Sequence, residues 1–250
     1  MKKIVHIILM GILLSCDSER VNDCFQATGT IISEEFTVQN FTKIRIEDDV
    51  NLIIKQHDDQ KVRIRTGENL LSDVSVSVEE GVLVIRNNNS CNLVCDYSNV
   101  TAVVQTPNIT EIRNSSSGDI TGDGTLEFPI LYLVSNTSIN VEGVRKSGDF
   151  TMKVKCERFF VTANGYSRFY ISGTSEKATI SLEDEVPLFV GPGLISDEII
   201  VFQRSAASMV VNPQNSIRGS IRGTGNVICK NRPPLIDVNE YYTGRLIFED

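Results

Sequence analysis

Asn114-Ser115-Ser116-Ser117-Gly118-Asp119-Ile120 sets a small polar corner directly against an apolar strand residue. Corners of the same kind return at Ser135-Asn136-Thr137-Ser138-Ile139, Asn164-Gly165-Tyr166-Ser167, Arg204-Ser205-Ala206-Ala207-Ser208-Met209 and Gly223-Thr224-Gly225-Asn226-Val227. Between them run short segments rich in β-branched and aromatic residues, the composition of strands. A further corner, Glu183-Asp184-Glu185-Val186-Pro187, breaks the small-residue pattern but keeps the spacing. The centres near 119, 138, 167, 187, 208 and 226 give steps of about 19, 29, 20, 21 and 18 residues. A period of about 20 residues, with two or three short strands in each, is that of a β-solenoid coil. No coil buries its apolar face alone, so neighbours must stack. The longer step marks an insertion around Arg145-Lys146-Ser147-Gly148. A sandwich of even hairpins is the competing architecture.

Upstream of the ladder, Phe36 to Arg86 alternates apolar and polar residues in short bursts, such as Val62-Arg63-Ile64-Arg65 and Val74-Ser75-Val76-Ser77-Val78. Period two with Val and Ile is the signature of a half-buried strand. Gln56-His57-Asp58-Asp59-Gln60 and Glu79-Glu80-Gly81 read as the turns between them. Asn87 to Tyr97 is a dense polar break, after which Val100 to Gln105 resumes a strand and Pro107-Asn108 turns the chain. No stretch holds helical periodicity over three turns, so the fold class is all-β. The division expected is a β section over 24–108 and a β-solenoid ladder over 109–250, forming one continuous domain.

The N-terminus reads differently. Met1-Lys2-Lys3 is a basic head and Ile4 to Leu14 a nearly unbroken apolar run, the form of a secretory signal and too short to span a bilayer. It ends in Leu13-Leu14-Ser15-Cys16, which resembles the bacterial lipobox, with the bulkier Leu14 as a departure. Residues 1–15 are expected to be removed as a lipoprotein signal peptide, Cys16 to carry the lipid, and 16–23 to form a polar tether. A lipidated N-terminus anchors a domain without a spanning helix. The chain has 24 Lys+Arg against 32 Asp+Glu, and loss of Lys2 and Lys3 leaves 22 against 32, a net of −10. A surface of that sign repels nucleic acid and anionic lipid. The partners expected are the membrane through the lipid and a glycan or protein ligand, with no nucleic acid.

Asp23-Cys24-Phe25-Gln26-Ala27-Thr28-Gly29, Phe41-Thr42-Lys43-Ile44, Gly67-Glu68-Asn69-Leu70-Leu71, Gly81-Val82-Leu83-Val84-Ile85 and Asn89-Ser90-Cys91-Asn92 resemble, in order and spacing, the putative auto-transporter adhesin, head GIN domain family. The likeness spans roughly residues 24–235, and Ser117-Gly118-Asp119 and Gly223 to Val227 fit that family's Gly-rich turns. Several corners depart from it, with Ser, Asn or Arg where the family favours Gly. The resemblance implies a cell-envelope protein of Gram-negative bacteria, often a lipoprotein, built as a right-handed β-helix-like stack, and the outer membrane is the location expected for this chain. It brings no catalytic residues. Because Cys24 and Cys91 both sit in family-like motifs, it also implies a disulfide from Cys24 to the Cys91/Cys95 pair, with Cys91 the favoured partner. Such a bridge closes a loop of about 67 residues and contributes a few kcal/mol on the chain-entropy model. Cys156 and Cys229 are expected as buried thiols.

No Gly-rich phosphate loop, HExxH pair or nucleophile elbow is present. Trp is absent, and of two His one lies in the leader, leaving His57 in a polar turn. Asp58-Asp59 beside it reads as a solvated turn. Glu183-Asp184-Glu185 is the most enzyme-like feature, since acidic residues on a coil face can gather calcium. Three consecutive residues point in different directions, so a solvated corner is the expectation. Tyr166, Phe169 and Tyr170 could form an aromatic row, with Phe169 better suited to the core. The function expected is a non-catalytic, adhesin-like surface module without cofactor or metal. The alternatives are a carbohydrate-active β-helix enzyme of the polysaccharide-lyase type and a purely structural envelope component.

Overall fold

The computed structural model describes residues 28–88, 100–137 and 143–249. The described residues form strands, one 3₁₀ turn at Leu71–Asp73 and no α-helix. The alternating segments become β1 (Ile31–Phe36), β2 (Lys43–Asp48), β3 (Asn51–Gln56), β4 (Lys61–Gly67), β5 (Val74–Glu79), β6 (Val82–Asn87) and β7 (Thr101–Thr106). They are followed by β8 (Glu111–Ser116), β9 (Ile120–Leu126), β10 (Ile130–Ser135), β11 (Phe150–Ala163) and β12 (Arg168–Leu182). The last are β13 (Leu188–Gln203), β14 (Met209–Ile221), β15 (Val227–Cys229), β16 (Leu235–Glu240) and β17 (Leu246–Phe248). Cross-pairings join all 17 into one nearly closed sheet.

The strands from β11 onward are longer than the short segments the sequence suggests, and their burial patterns say why. Along β11 buried and exposed positions alternate from Phe150 to Cys156, two exposed residues follow at Glu157 and Arg158, and alternation resumes at Phe159. One slip in a period-two pattern would turn the second half outward. A bend at the slip returns it to the same core, so the strand crosses the corner without ending. β12, β13 and β14 bend likewise, and each lies parallel on its predecessor at a step of 17 to 21 residues (Ser196 on Pro213, Phe150 on Phe169, Lys177 on Glu198). The step from Ile120 to Phe150 is longer, the extra residues following β10 where the insertion was expected.

The core is a set of stacked rows. One inner row runs Ala102, Leu52, Ile120, Phe150, Phe169 and Phe189, all with no exposed surface, and passes on through Met209 and Val227 to Leu246. Phe150 and Phe169 stack with ring centroids 4.5 Å apart. A buried Phe contributes about 1.5–3 kcal/mol by area alone, so this row dominates the local energetics.

The N-terminal strands stack out of order. β2 and β3 lie in the middle, with β6 and β7 parallel on one side and β8 and β9 parallel on the other. Beyond β6 and β7 the pairing turns antiparallel: β5 on β6, β4 on β7 and β1 on β4. The β5–β6 hairpin turns through Glu80 (φ 50°) and Gly81 (φ 78°), the two positive-φ positions that match the twist of paired strands.

The small polar corners are the other half of the architecture. Each must satisfy turn backbone inside the stack, where an orphaned polar group costs about 1–3 kcal/mol. Asn114 accepts from the Ser116 N–H at 2.8 Å and donates to Gly118 O at 2.9 Å. The Ser135 and Ser167 hydroxyls bond at 2.7 Å, and Ser205 Oγ donates to Pro187 O at 2.9 Å. At the strand starts a side-chain oxygen accepts the backbone N–H of the next coil. Asn51 takes that of Asp119 (2.9 Å), Asp119 that of Asp149 (2.8 Å), Asp149 that of Arg168 (2.9 Å) and Asn226 that of Arg245 (2.8 Å).

Candidate functional site

The residues singled out in the sequence are not gathered in one place. His57 accepts the Asp59 N–H on Nδ1 at 3.1 Å and so closes its own turn. Glu183 and Asp184 both pair with Arg204 (3.7 and 3.4 Å), while Glu185 turns to Lys146 (3.7 Å). Three neighbours thus face two different cations, and the corner is a set of solvated ion pairs. Among the described residues no group of three or more His, Cys, Asp or Glu is arranged to hold a metal ion. Phe169 is in the core, while Tyr166 and Tyr170 are 58% and 38% exposed, so the three do not form one row. Cys156 and Cys229 are buried free thiols whose pKa burial pushes up to about 12, which makes them poor nucleophiles. Cys16, Cys24, Cys91 and Cys95 lie outside the described residues.

Titratable groups elsewhere have structural explanations. Glu47 is buried at 6% exposure and is held between Arg45 (2.7 Å) and Arg86 (2.5 Å). Its hydrogen bond is the main cause of the raised Arg86 pKa.

Among the clefts lined by the described residues, two lie along the later strands. One of about 430 Å³ lies along the bends, where Glu157, Glu176 and Asp197 occupy the same position in successive coils. Lys155 crosses its mouth to Glu127 at 2.9 Å. Stacked carboxylates facing water with a lysine among them form an ordinary solvated edge.

The second cleft, of about 470 Å³, is a trough on the outer side of the first halves of β11 and β12. Its walls are irregularities in the flanking strands. On one side β9 slips register against β11, with Gly122, Asp123 and Gly124 left over between Thr121 and Thr125. On the other, β13 slips against β12 over Gly191 and Pro192. Bulges of this kind lift a strand locally and re-aim what it carries. The floor presents the outward positions of the two regular strands: Thr151 and Lys153, then Tyr170 and Ser172. A Cβ at Gly122 would lie 2.9 Å from Met152 Cβ, and Gly124 sits at φ 89°, so glycine lets this wall lie low against the floor. Sequence reasoning passed over the trough. Its signal was the pair of Gly-x-Gly interruptions, Gly122-Asp123-Gly124 and Gly191-Pro192-Gly193, inside segments otherwise reading as strands.

The model of the family "Putative auto-transporter adhesin, head GIN domain" matches residues 40–233. Among curated proteins none matches the chain. A crystal structure of a "putative adhesin" from Bacteroides fragilis NCTC 9343 is similar at TM-score 0.79 and 17% identity, covering 88% of this chain and 97% of that one. A "putative adhesin" from Parabacteroides distasonis ATCC 8503 is similar at TM-score 0.63 and 14% identity, covering 88% and 98%. A "putative lipid binding protein" from the same organism is similar at TM-score 0.63 and 12% identity, covering 89% and 98%. At these identities the likeness speaks for the fold.

Proposed function

The chain belongs to the putative auto-transporter adhesin, head GIN domain family, and from that premise we propose that it is a non-catalytic, adhesin-like module of the cell envelope. The observation that carries this reading is the outward surface of the stack. Thr121, Thr151, Tyr170 and Val190 come from four strands side by side and make one row. A surface built by repetition along an elongated stack suits several weak contacts with an extended or repeated ligand, whose combined avidity exceeds each contact. The stack is read as a right-handed β-helix, with a lipid on Cys16, a tether over 16–23 and an outer-membrane location. A bridge from Cys24 to Cys91 would pin the start of the chain to the β6–β7 connection. The glycan and the protein ligand are the two classes such a surface serves.

Presenting the full chain to arrayed glycans and to immobilised matrix proteins tests the reading, with a polysaccharide depolymerisation assay run alongside. Saturable binding without release of shortened product is expected. Calcium-dependent cleavage with unsaturated products would overturn it in favour of the lyase. The anchor is tested separately: a palmitate analogue should label the wild-type chain and not Cys16→Ala.

A further inference from the structure

The trough between the two bulges is built unlike the rest of the outer surface. Its two walls rise from different strands, and between them β11 and β12 keep undisturbed register from Phe150 to Cys156. Three inter-strand steps separate β9 from β13, about 14 Å at the usual spacing of paired strands. A volume of about 470 Å³ falls within the range of sites that take a small ligand.

The lining is chemically selective. Tyr170 is the sole aromatic side chain in it, 38% exposed, and Thr121, Thr151 and Ser172 stand around it as hydroxyls. An apolar ring amid hydroxyl donors and acceptors matches a pyranose, which has apolar C–H faces and a polar rim. Lys153 is the one charged residue of the lining. Lys55 and Lys155, on the same side of the stack, are taken by Asp123 (3.1 Å) and Glu127 (2.9 Å), whereas Lys153 has no carboxylate partner among the described residues. In a chain with 32 acidic residues an ammonium left over beside a tyrosine is a place for an anion from outside. The negative net charge does not prevent this, because fields from other charges are largely screened beyond about 8 Å at physiological salt.

Resting on the binding-module reading above, we propose that this trough binds a saccharide bearing a carboxylate, its ring against Tyr170 and its carboxylate on the Lys153 ammonium. The charge-assisted bond supplies selectivity for the acidic sugar, and the ring contact supplies affinity for either form. An acyl chain suits the trough less well, since the walls leave the floor open to water and put a charge in it.

Titration of the purified full chain with glucuronate- and sialate-terminated oligosaccharides, each beside its carboxyl-reduced counterpart, decides the matter. The wild type should prefer at least one acidic form by about tenfold, the order expected for one hydrogen bond to a charged group. Lys153→Met should erase that preference while leaving the reduced sugar's affinity unchanged. Tyr170→Ala should weaken both forms, Tyr170→Phe should restore most of the loss, and Tyr132→Ala, on the other side of the stack, should change neither. Glycan binding that is indifferent to Lys153→Met and Tyr170→Ala would overturn this site and leave the module reading standing. Binding of decanoate in place of sugars, lost in Tyr170→Ala, would overturn the ligand class. A wild-type chain that binds no glycan and no matrix protein would remove the parent reading as well.

Discussion

From Phe150 to Phe248 each strand lies parallel on one that shortly precedes it in sequence, the immediate predecessor up to β15 and then β14 under β16 and β15 under β17, whereas between Ile31 and Leu126 the chain doubles back. In the first region β12 and β13 pair only with their sequence neighbours. In the second, β2 and β3 hold strands on both sides that come 39 to 68 residues later, and two edges are closed by antiparallel strands. The serial region should behave as a sum of nearest-neighbour interfaces, losing coils from its open end inward. The folded-back region should come apart as one unit, because removing β2 severs two interfaces at once. A regular appearance and mutual dependence are different properties, and this molecule separates them.

The largest effect should come from Phe169→Ala in the inner row. Its ring has no exposed surface and stacks on Phe150, and such a truncation costs about 3–5 kcal/mol. Urea unfolding should show the loss together with a broadened transition, as the coils beyond Phe169 uncouple. Leu52→Ala, in the same row but in β3, should cost about 2–5 kcal/mol with the transition still sharp. Equal broadening in both variants would break the comparison.

Next in size is Gly173→Ala in β12. Gly173 sits at φ 112°, and an added Cβ would lie 1.9 Å from Val154 O on the neighbouring strand. Gly219 repeats this at φ 128° against Val201 O, two strands further on. Forced strain of this kind costs about 1–3 kcal/mol. Because β12 is interior and β14 lies near the open end, hydrogen exchange should show wider loss of protection in Gly173→Ala than in Gly219→Ala.

The two thiols report on the same gradient. Burial raises both pKa values to about 12 from an ordinary 9.0, so the folded state holds the proton more tightly than the unfolded chain does. The stabilisation this reflects is fully present below the unfolded pKa and is lost as pH rises from 9 towards 12. Stability should therefore fall across that window, and Cys156→Ala with Cys229→Ala should flatten the fall. In timed alkylation at pH 8, Cys229, beside the last coil, should label before Cys156. Cys156 labelling first would reverse the proposed direction of opening.

The same division explains what the sequence disclosed. In the serial region the period near 20 was visible because coil and chain run together, and the corners stood out because Ser135, Ser167 and Ser205 must be small and polar to satisfy turns inside the stack. The pairing of β2 with both β6 and β8 left no local mark, since alternation states which face a residue takes and not which strand lies beside it. Long strands were read as short ones because a one-residue slip, as at Glu157 and Arg158, looks like an ending when the bend cannot be seen. The trough stayed hidden for a related reason. Gly122 and Gly193 mark only local interruptions of two strands, and the register of the neighbouring strands is what turns them into two walls of one cleft.

The smallest effect belongs to the acidic corner. Glu183 pairs with Arg204 and Glu185 with Lys146, both at 3.7 Å and with the two carboxylate side chains more than a third exposed. Exposed pairs contribute about 0–1 kcal/mol, so Glu183→Ala with Glu185→Ala should shift the urea midpoint little, and raising the salt should reproduce the shift in the wild type. Asp184 between them is a different case, because its backbone is at φ 57°. Alanine there takes on the left-handed strain without the local hydrogen bonding that lets Asp tolerate it, whereas glycine carries no such penalty. Asp184→Ala should therefore destabilise more than the other two together, and Asp184→Gly should be close to neutral. If the order inverts, with Glu183 and Glu185 costing more than Asp184→Ala, the corner is held by its charges rather than by its turn. Its carboxylates would then be fixed in place by Arg204 and Lys146, as a binding edge requires, instead of moving freely in water.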